Sequence, residues 1–372
     1  MTLFGLENLP YGVFSTPGGA RRIGVRLGDA VLDLSRAEAD DLILAGGALR
    51  QPSLNVLMSL GRPQWTAIRT RIAEVAPTLP AIPLSDVELH LPFDVADYTD
   101  FYSSEHHATN VGKILRPGSP PLRDNWKHLP IGYHGRAATV VVSGTPIARP
   151  AGQLGPGVFG PSQRLDIEAE VGFVVGVPGR RIRTADFAEH VFGVVLVNDW
   201  SARDIQAYEN QPLGPFLSKS FATSVSPWVV PLSAFAELPP PAQDPAPQEY
   251  LLPPGPALDV RLRVEWNGTQ VSTPPFAQMY WTAAQQLAHL TVNGAVVRTG
   301  DLYASGTVSG PAREEAGSLL ELTWNGEHPV TLADGSARSF LLDGDTVTIS
   351  ATASGAHGGT IGLGEVTGTV CP

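Results

Sequence analysis

A chain of 372 residues is longer than one hydrophobic core usually serves, so two domains are expected. The formal net charge of −11, from 25 basic and 36 acidic residues, argues against nucleic acid or anionic lipid as the main partner, because phosphate binding needs a basic surface. Hydrophobic residues at 43% mark a globular protein, and 39 Gly with 34 Pro favour short strands and turns over long helices. The single cysteine, Cys371, supplies neither an internal disulfide nor a thiolate metal site. No basic-then-apolar leader and no apolar run of transmembrane length is found, so the cytoplasm is the expected compartment and no membrane partner is expected.

In chain order, Arg22–Leu27 alternates, Gly28-Asp29 turns, and Ala30–Leu34 returns, which predicts a hairpin. Leu57, Leu60, Trp65, Ile68 and Ile72 have helical spacing within Leu54–Val75. Ala76–Pro83, rich in proline, reads as a linker, and the domain boundary is placed near residue 90: residues 1–90, then 91–372. The rest reads as mainly β. Val260, Leu262, Val264 and Trp266 alternate with polar residues before Asn267-Gly268. Leu320, Leu322 and Trp324 alternate with Glu321 and Thr323 before Asn325-Gly326. Phe340–Leu342 and then Val347, Ile349 and Ala351 continue the pattern. The fold class is mainly β (α+β), with antiparallel or mixed sheets in a roll or sandwich. Helices are expected over roughly Thr184–Ala188 and Trp281–Leu290, and a long surface loop over Leu238–Pro256.

Asp97–Asn110 concentrates acids, histidines, tyrosines and hydroxyls in one short stretch. A stable core has no use for that mixture, since buried polar groups are costly without partners, and a solvated loop has no use for the aromatics. The stretch reads as one wall of an active site. Glu168 and Glu170 are two apart on a predicted strand and so share a face. They form either a solvated strand face or, beside the apolar run Val171–Val175, a buried pair that a cation would relieve. Asp199 closes the apolar run Val194–Val197, as a site-rim acid or as a helix cap. If Asp100, Glu168, Glu170 and Asp199 converge, they make an all-oxygen cage suited to Ca²⁺ or Mg²⁺ more than to Zn²⁺. His107 is the general-base candidate, with Glu321 on its predicted strand to fix the tautomer; His106 beside it leaves the choice open on chemistry alone. Arg116, Arg203 and Lys219 would bind carboxylate or oxyanion groups, or are surface charge. Tyr102 and Tyr133 donate to a substrate or simply pack.

At these residues the chain resembles a known family. Asn8–Thr16, Asp97–Asn110, Asn125–Arg136, Val140–Pro146, Asn198–Gln206, Pro212–Phe221 and Tyr303–Pro311 resemble the fumarylacetoacetase family, from about Phe4 to the end. The resemblance implies a small SH3-like N-terminal domain, a larger β-rich catalytic domain, a homodimer and a divalent cation. It implies hydrolysis of a diketo acid, 4-fumarylacetoacetate, to fumarate and acetoacetate, the last step of tyrosine and phenylalanine breakdown. By the same resemblance, Asp100, Glu168, Glu170 and Asp199 match calcium ligands, and Lys219 and Thr223 match a magnesium site. His107 matches the base and Glu321 its partner. Arg203, Gln206 and Lys219 match the groups around the oxyanion. Tyr102, Arg116, Tyr133, Gln206 and Thr307 match substrate contacts. Asn210 stands where the family has a substrate-contacting tyrosine, and Glu105-His106 stands where Arg-Gln is usual. Two rival readings are another diketo-acid enzyme on the same cage (an acylpyruvate hydrolase, decarboxylase or isomerase) and a calcium-dependent binding module without catalysis.

Overall fold

The computed structural model describes residues 2–372. Its largest feature is a 13-stranded sheet. In chain order its strands are β1 (Tyr11–Ser15), β2 (Arg22–Leu27), β3 (Ala30–Asp33), β4 (Ala81–Pro83), β5 (Glu88–His90), β6 (Tyr98–Phe101), β7 (Gly132–His134), β8 (Val140–Val142), β9 (Ala169–Val175), β10 (Val191–Asp199), β11 (Thr223–Val225), β12 (Trp228–Pro231) and β13 (Leu302–Ala304). The main path runs β4-β3-β2-β1-β12-β10-β9-β13-β6-β7, with β5 on β1, and β11 between β10 and β8. The predicted hairpin is β2–β3, turned at Gly28 with φ of 59°.

The early strands and the later ones share this sheet through β1 and β12, where Tyr11 faces Val229 and Gly12 faces Trp228. Glycine is required there, because a Cβ on Gly12 would lie 2.6 Å from the Trp228 ring. Ala76–Pro83, expected as a linker, is instead a helical turn followed by β4 on the sheet edge. Edge strands tolerate proline, since an outward-facing N–H is not needed for the ladder. The predicted helix over Leu54–Val75 is two helices, Asn55–Met58 and α1 (Arg62–Val75), separated at Gly61 with φ of 83°.

Strands β9 and β10 are buried along their whole length. Val171, Phe173, Val175, Val194 and Leu196 join one core. Val174, Val195 and Val197 join a second, with Ile23, Val25, Leu57 and Ile72 from the first part of the chain. Burial on both faces explains the unbroken apolar runs, and each such side chain contributes roughly 1.5–3 kcal/mol. The first core lies between these strands and a five-stranded sheet in which Val260–Trp266 pairs with Thr346–Ser354, and Thr346–Ser354 with Thr360–Cys371. Asn267 and Gly268, with φ of 49° and 74°, turn Val260–Trp266 back into Thr269–Ser272.

Four further helices matter: α2 (Glu105–Leu115), α3 (Arg203–Glu209), α4 (Ala283–Thr291) and α5 (Leu319–Leu322). Helix α4 and the turn at Thr184–His190 fall where helices were expected. Glu321 lies on α5, not on a strand. The Ser318 hydroxyl caps the Glu321 amide, and the Asp166 carboxylate accepts from the Leu319 and Leu320 amides. Those caps close a helical turn that the alternation of Leu320, Leu322 and Trp324 does not announce. Phe340–Leu342 forms no strand, only a bridge from Leu341 to Leu165. Leu238–Pro256 is largely loop, anchored by the buried Leu251.

Candidate active site

Three strand ends and a loop bring the four acids together. Asp100 lies on β6, beside Ala304 of β13. Glu170 lies on β9 opposite Val197, and Asp199 ends β10 opposite Thr223 of β11. Glu168 precedes β9 and bridges to Ser318. One oxygen from each acid falls within 4.8 Å of those of the others, and all four are buried. Asp199 is therefore not a helix cap: α3 has no side-chain cap, and its carboxylate faces the cage.

The cage is only partly satisfied by protein. The Lys219 ammonium donates to Glu168 at 2.5 Å and to Asp199 at 2.7 Å, and the Tyr133 hydroxyl donates to Asp199 at 3.2 Å. Arg203 Nη2 forms a 2.7 Å ion pair with Glu168 Oε1. Asp100 Oδ1, Asp199 Oδ1 and both Glu170 oxygens have no hydrogen-bond partner. Burial pushes the Asp100 and Glu170 carboxyls well above the ordinary range, and the neighbouring carboxylates push them further. Burial also opposes ionisation of Glu168, but Lys219 and Arg203 outweigh it and hold Glu168 below the ordinary range. Lys219 is shared by Glu168 and Asp199, and Arg203 is shared by Glu168 and Asp166, so the four acids outnumber the cations that face them, an excess a divalent cation would offset. The orphaned oxygens, all hard donors, fit such a cation.

Beside the cage is a finished dyad. Ser104 caps α2 and so presents His107 inward from the first turn. His107 Nδ1 donates to Glu321 Oε2 at 2.6 Å. Glu321 also accepts from Ser318 at 2.8 Å, Ser309 at 3.0 Å and Asn110 at 3.0 Å. Burial alone would raise the Glu321 carboxyl; His107 and these donors hold it below the ordinary range. A carboxylate ringed by donors assigns the Nδ1–H tautomer, leaving Nε2 as the acceptor. Nε2 lies 3.9 Å from Glu168 Oε1, so dyad and cage share a border.

The remaining candidates divide. Arg203 donates through Nε to Asp166 at 2.8 Å and through Nη1 to Gln206 at 3.0 Å. Tyr102 meets His107 edge-on with ring centroids 5.4 Å apart. Arg116 ends α2; one amino group donates to the Pro121 carbonyl at 2.8 Å, and its buried Nε has no partner. Thr307 is buried with a partnerless hydroxyl, next to Gly306, where a Cβ would meet the Phe101 carbonyl. Thr223 is buried on β11. Among the described residues the Asn210 side chain, at the end of α3, makes no hydrogen bond to any other candidate. Asp166, Ser309 and Ser318 were not anticipated; an acid between Leu165 and Ile167 was the only signal for the first.

Fold and site together define a class: a β-rich protein with an acid–base dyad set against an oxygen-donor cation cage. The family follows from comparison. A family model described as fumarylacetoacetate (FAA) hydrolase C-terminal matches residues 97–371, and one described as fumarylacetoacetase N-terminal matches residues 7–92. The chain is 47% identical to the fumarylacetoacetase of Homo sapiens, covering 99% of this chain and 96% of that protein. It is 43% identical to the fumarylacetoacetase of Arabidopsis thaliana at the same coverage. Among solved structures, a fumarylacetoacetate hydrolase from Exiguobacterium antarcticum shares the fold with a TM-score of 0.62 at 19% identity, over 98% of this chain and 99% of that one. The chain belongs to the fumarylacetoacetate hydrolase family.

Proposed function

We propose that this protein hydrolyses the carbon–carbon bond of 4-fumarylacetoacetate, giving fumarate and acetoacetate as the last step of tyrosine and phenylalanine breakdown. The observation that carries the reading is the buried His107–Glu321 pair at 2.6 Å, with its free nitrogen 3.9 Å from the cage, in a chain 47% identical to a fumarylacetoacetase. A binding module has no use for a base dyad.

Asp100, Glu168, Glu170 and Asp199 would hold Ca²⁺; Lys219 and Thr223 would border a Mg²⁺ site. When bound, the cation supplies Lewis-acid stabilisation of negative charge on the substrate's diketone oxygens. His107 Nε2 takes a proton from water, and Glu321 holds the resulting imidazolium. The hydroxide adds to the carbonyl carbon beside the fumaryl half. The third N–H of Lys219 and the Gln206 amide are the spare donors for the oxyanion, with Arg203 as a nearby fixed charge. Collapse breaks the carbon–carbon bond, the electron pair leaves with the acetoacetate carbon, and that carbon takes the proton held by the His107 imidazolium, which restores the base. Arg116, with Tyr102, Tyr133 and Thr307, orients the substrate, and Asn210 borders it.

Residues 1–90 are read as the N-terminal domain and 91–372 as the catalytic domain, in a cytoplasmic homodimer. Among the described residues no helix is long and apolar enough to cross a membrane. Incubation with fumarylacetoacetate, followed by product analysis, tests the reaction. Equimolar fumarate and acetoacetate are expected. Turnover of other diketo acids with this substrate left intact would overturn it.

A further inference from the structure

Asp166 is fully buried and belongs to neither the cage nor the dyad, yet it touches what holds both. Its Oδ1 accepts from the Ile167 and Leu319 amides, each at 2.7 Å. Its Oδ2 accepts from the Leu320 amide at 3.0 Å and from Arg203 Nε at 2.8 Å. Four donors and no acceptor surround it, so the group serves as a carboxylate with every contact spent. One of those donors belongs to the guanidinium that pairs with Glu168. Two belong to the first turn of α5, and the next residue of that turn is Glu321. Among the described residues Arg203 makes no hydrogen bond to α5 itself; Asp166 links them through one side chain, beside the longer route from Arg203 through Glu168 to its bridge with Ser318.

We propose that Asp166 is a positioning residue that couples the two arms of the site, fixing the Arg203 guanidinium and the helix bearing Glu321 relative to one another. The proposal rests on the hydrolytic reading above for what those arms do, and on geometry alone for the coupling. A displacement of about 1 Å in a catalytic group costs on the order of 10²-fold in rate, so a shared anchor has functional value beyond stability. Serine or alanine at this position would leave the α5 amides and Arg203 Nε without a partner.

The test is Asp166→Asn, which keeps the shape but presents an NH₂ where one oxygen now accepts two donors. Turnover of fumarylacetoacetate should fall roughly 10²-fold, with KM little changed. In the same variant the downfield proton resonance of His107 Nδ1–H, which reports the bond to Glu321, should shift or be lost to exchange. Near-normal turnover, or reduced turnover with that resonance unmoved, would overturn the coupling. Should the variant fail to fold, Arg203→Lys removes the Nε donor and keeps the charge. The Leu319 and Leu320 amide resonances should then move, and fixed resonances would overturn the proposal. The resonance measurements do not depend on the substrate. A wild-type protein inactive on fumarylacetoacetate would sink the functional reading while leaving the role of Asp166 to be decided by them.

Discussion

Glu321 and Glu170 are both buried glutamates of one site, and they are treated in opposite ways. Glu321 accepts from His107, Asn110, Ser309 and Ser318. Glu170 accepts from nothing, and both its oxygens are orphaned. Satisfied polar groups rigidify, whereas unsatisfied ones carry a desolvation cost that only a ligand removes. The dyad is thus complete within the chain, and the cage is complete only with a cation.

The sharpest break of this contrast is His107→Ala. Turnover should fall roughly 10²–10⁴-fold, read from initial rates, while cation affinity stays close to wild type. Near-normal turnover would remove His107 as the base. Next is the cation itself. Ca²⁺ at about a hundred times its Kd should raise unfolding free energy by about 2.7 kcal/mol over chelated protein, measured by thermal or denaturant melts. In Glu170→Gln that increment should largely disappear, since a neutral amide replaces the carboxylate the cation would bind. A full increment would place the cation elsewhere. On the dyad side, Asn110→Ala removes one donor to a buried carboxylate and should cost about 1–3 kcal/mol in stability, with cation binding unchanged. The smallest effect is with pH. Glu321 is held below its unfolded value, so its contribution is present above about pH 4.3 and is lost as pH falls through the folded value. The stability gap between wild type and Glu321→Gln should therefore shrink in acid; a gap that widens there contradicts the sign.

The resemblance blocks and the residue chemistry together pointed to the four cage acids and to the dyad: Asp100 and His107 lie in a stretch whose composition suits neither core nor loop, and Glu168, Glu170 and Asp199 lie beside apolar runs. What could not be read was long-range. Leu320 and Leu322 alternate as a strand would, and α5 exists because Asp166, 153 residues before Leu319, caps it. Pro77, Pro80 and Pro83 suggested a linker; Pro77 instead sits in a helical turn, and an edge position against β3 makes Pro83 compatible with a sheet. Lys219 and Arg203 were read as cations for carboxylate or oxyanion groups, or as surface charge; folding pairs them with Glu168, Asp166, Asp199 and Gln206. Local periodicity does not carry such partners, since they arise when distant segments meet.

The most direct test of the account is the rate of loss of diketone absorbance from fumarylacetoacetate, first with chelator-stripped protein and then as Ca²⁺ or Mg²⁺ is returned. A dyad complete in itself beside a cage that needs a cation predicts little turnover in the stripped, folded protein and full recovery on adding back the ion. Undiminished turnover in stripped protein would contradict it.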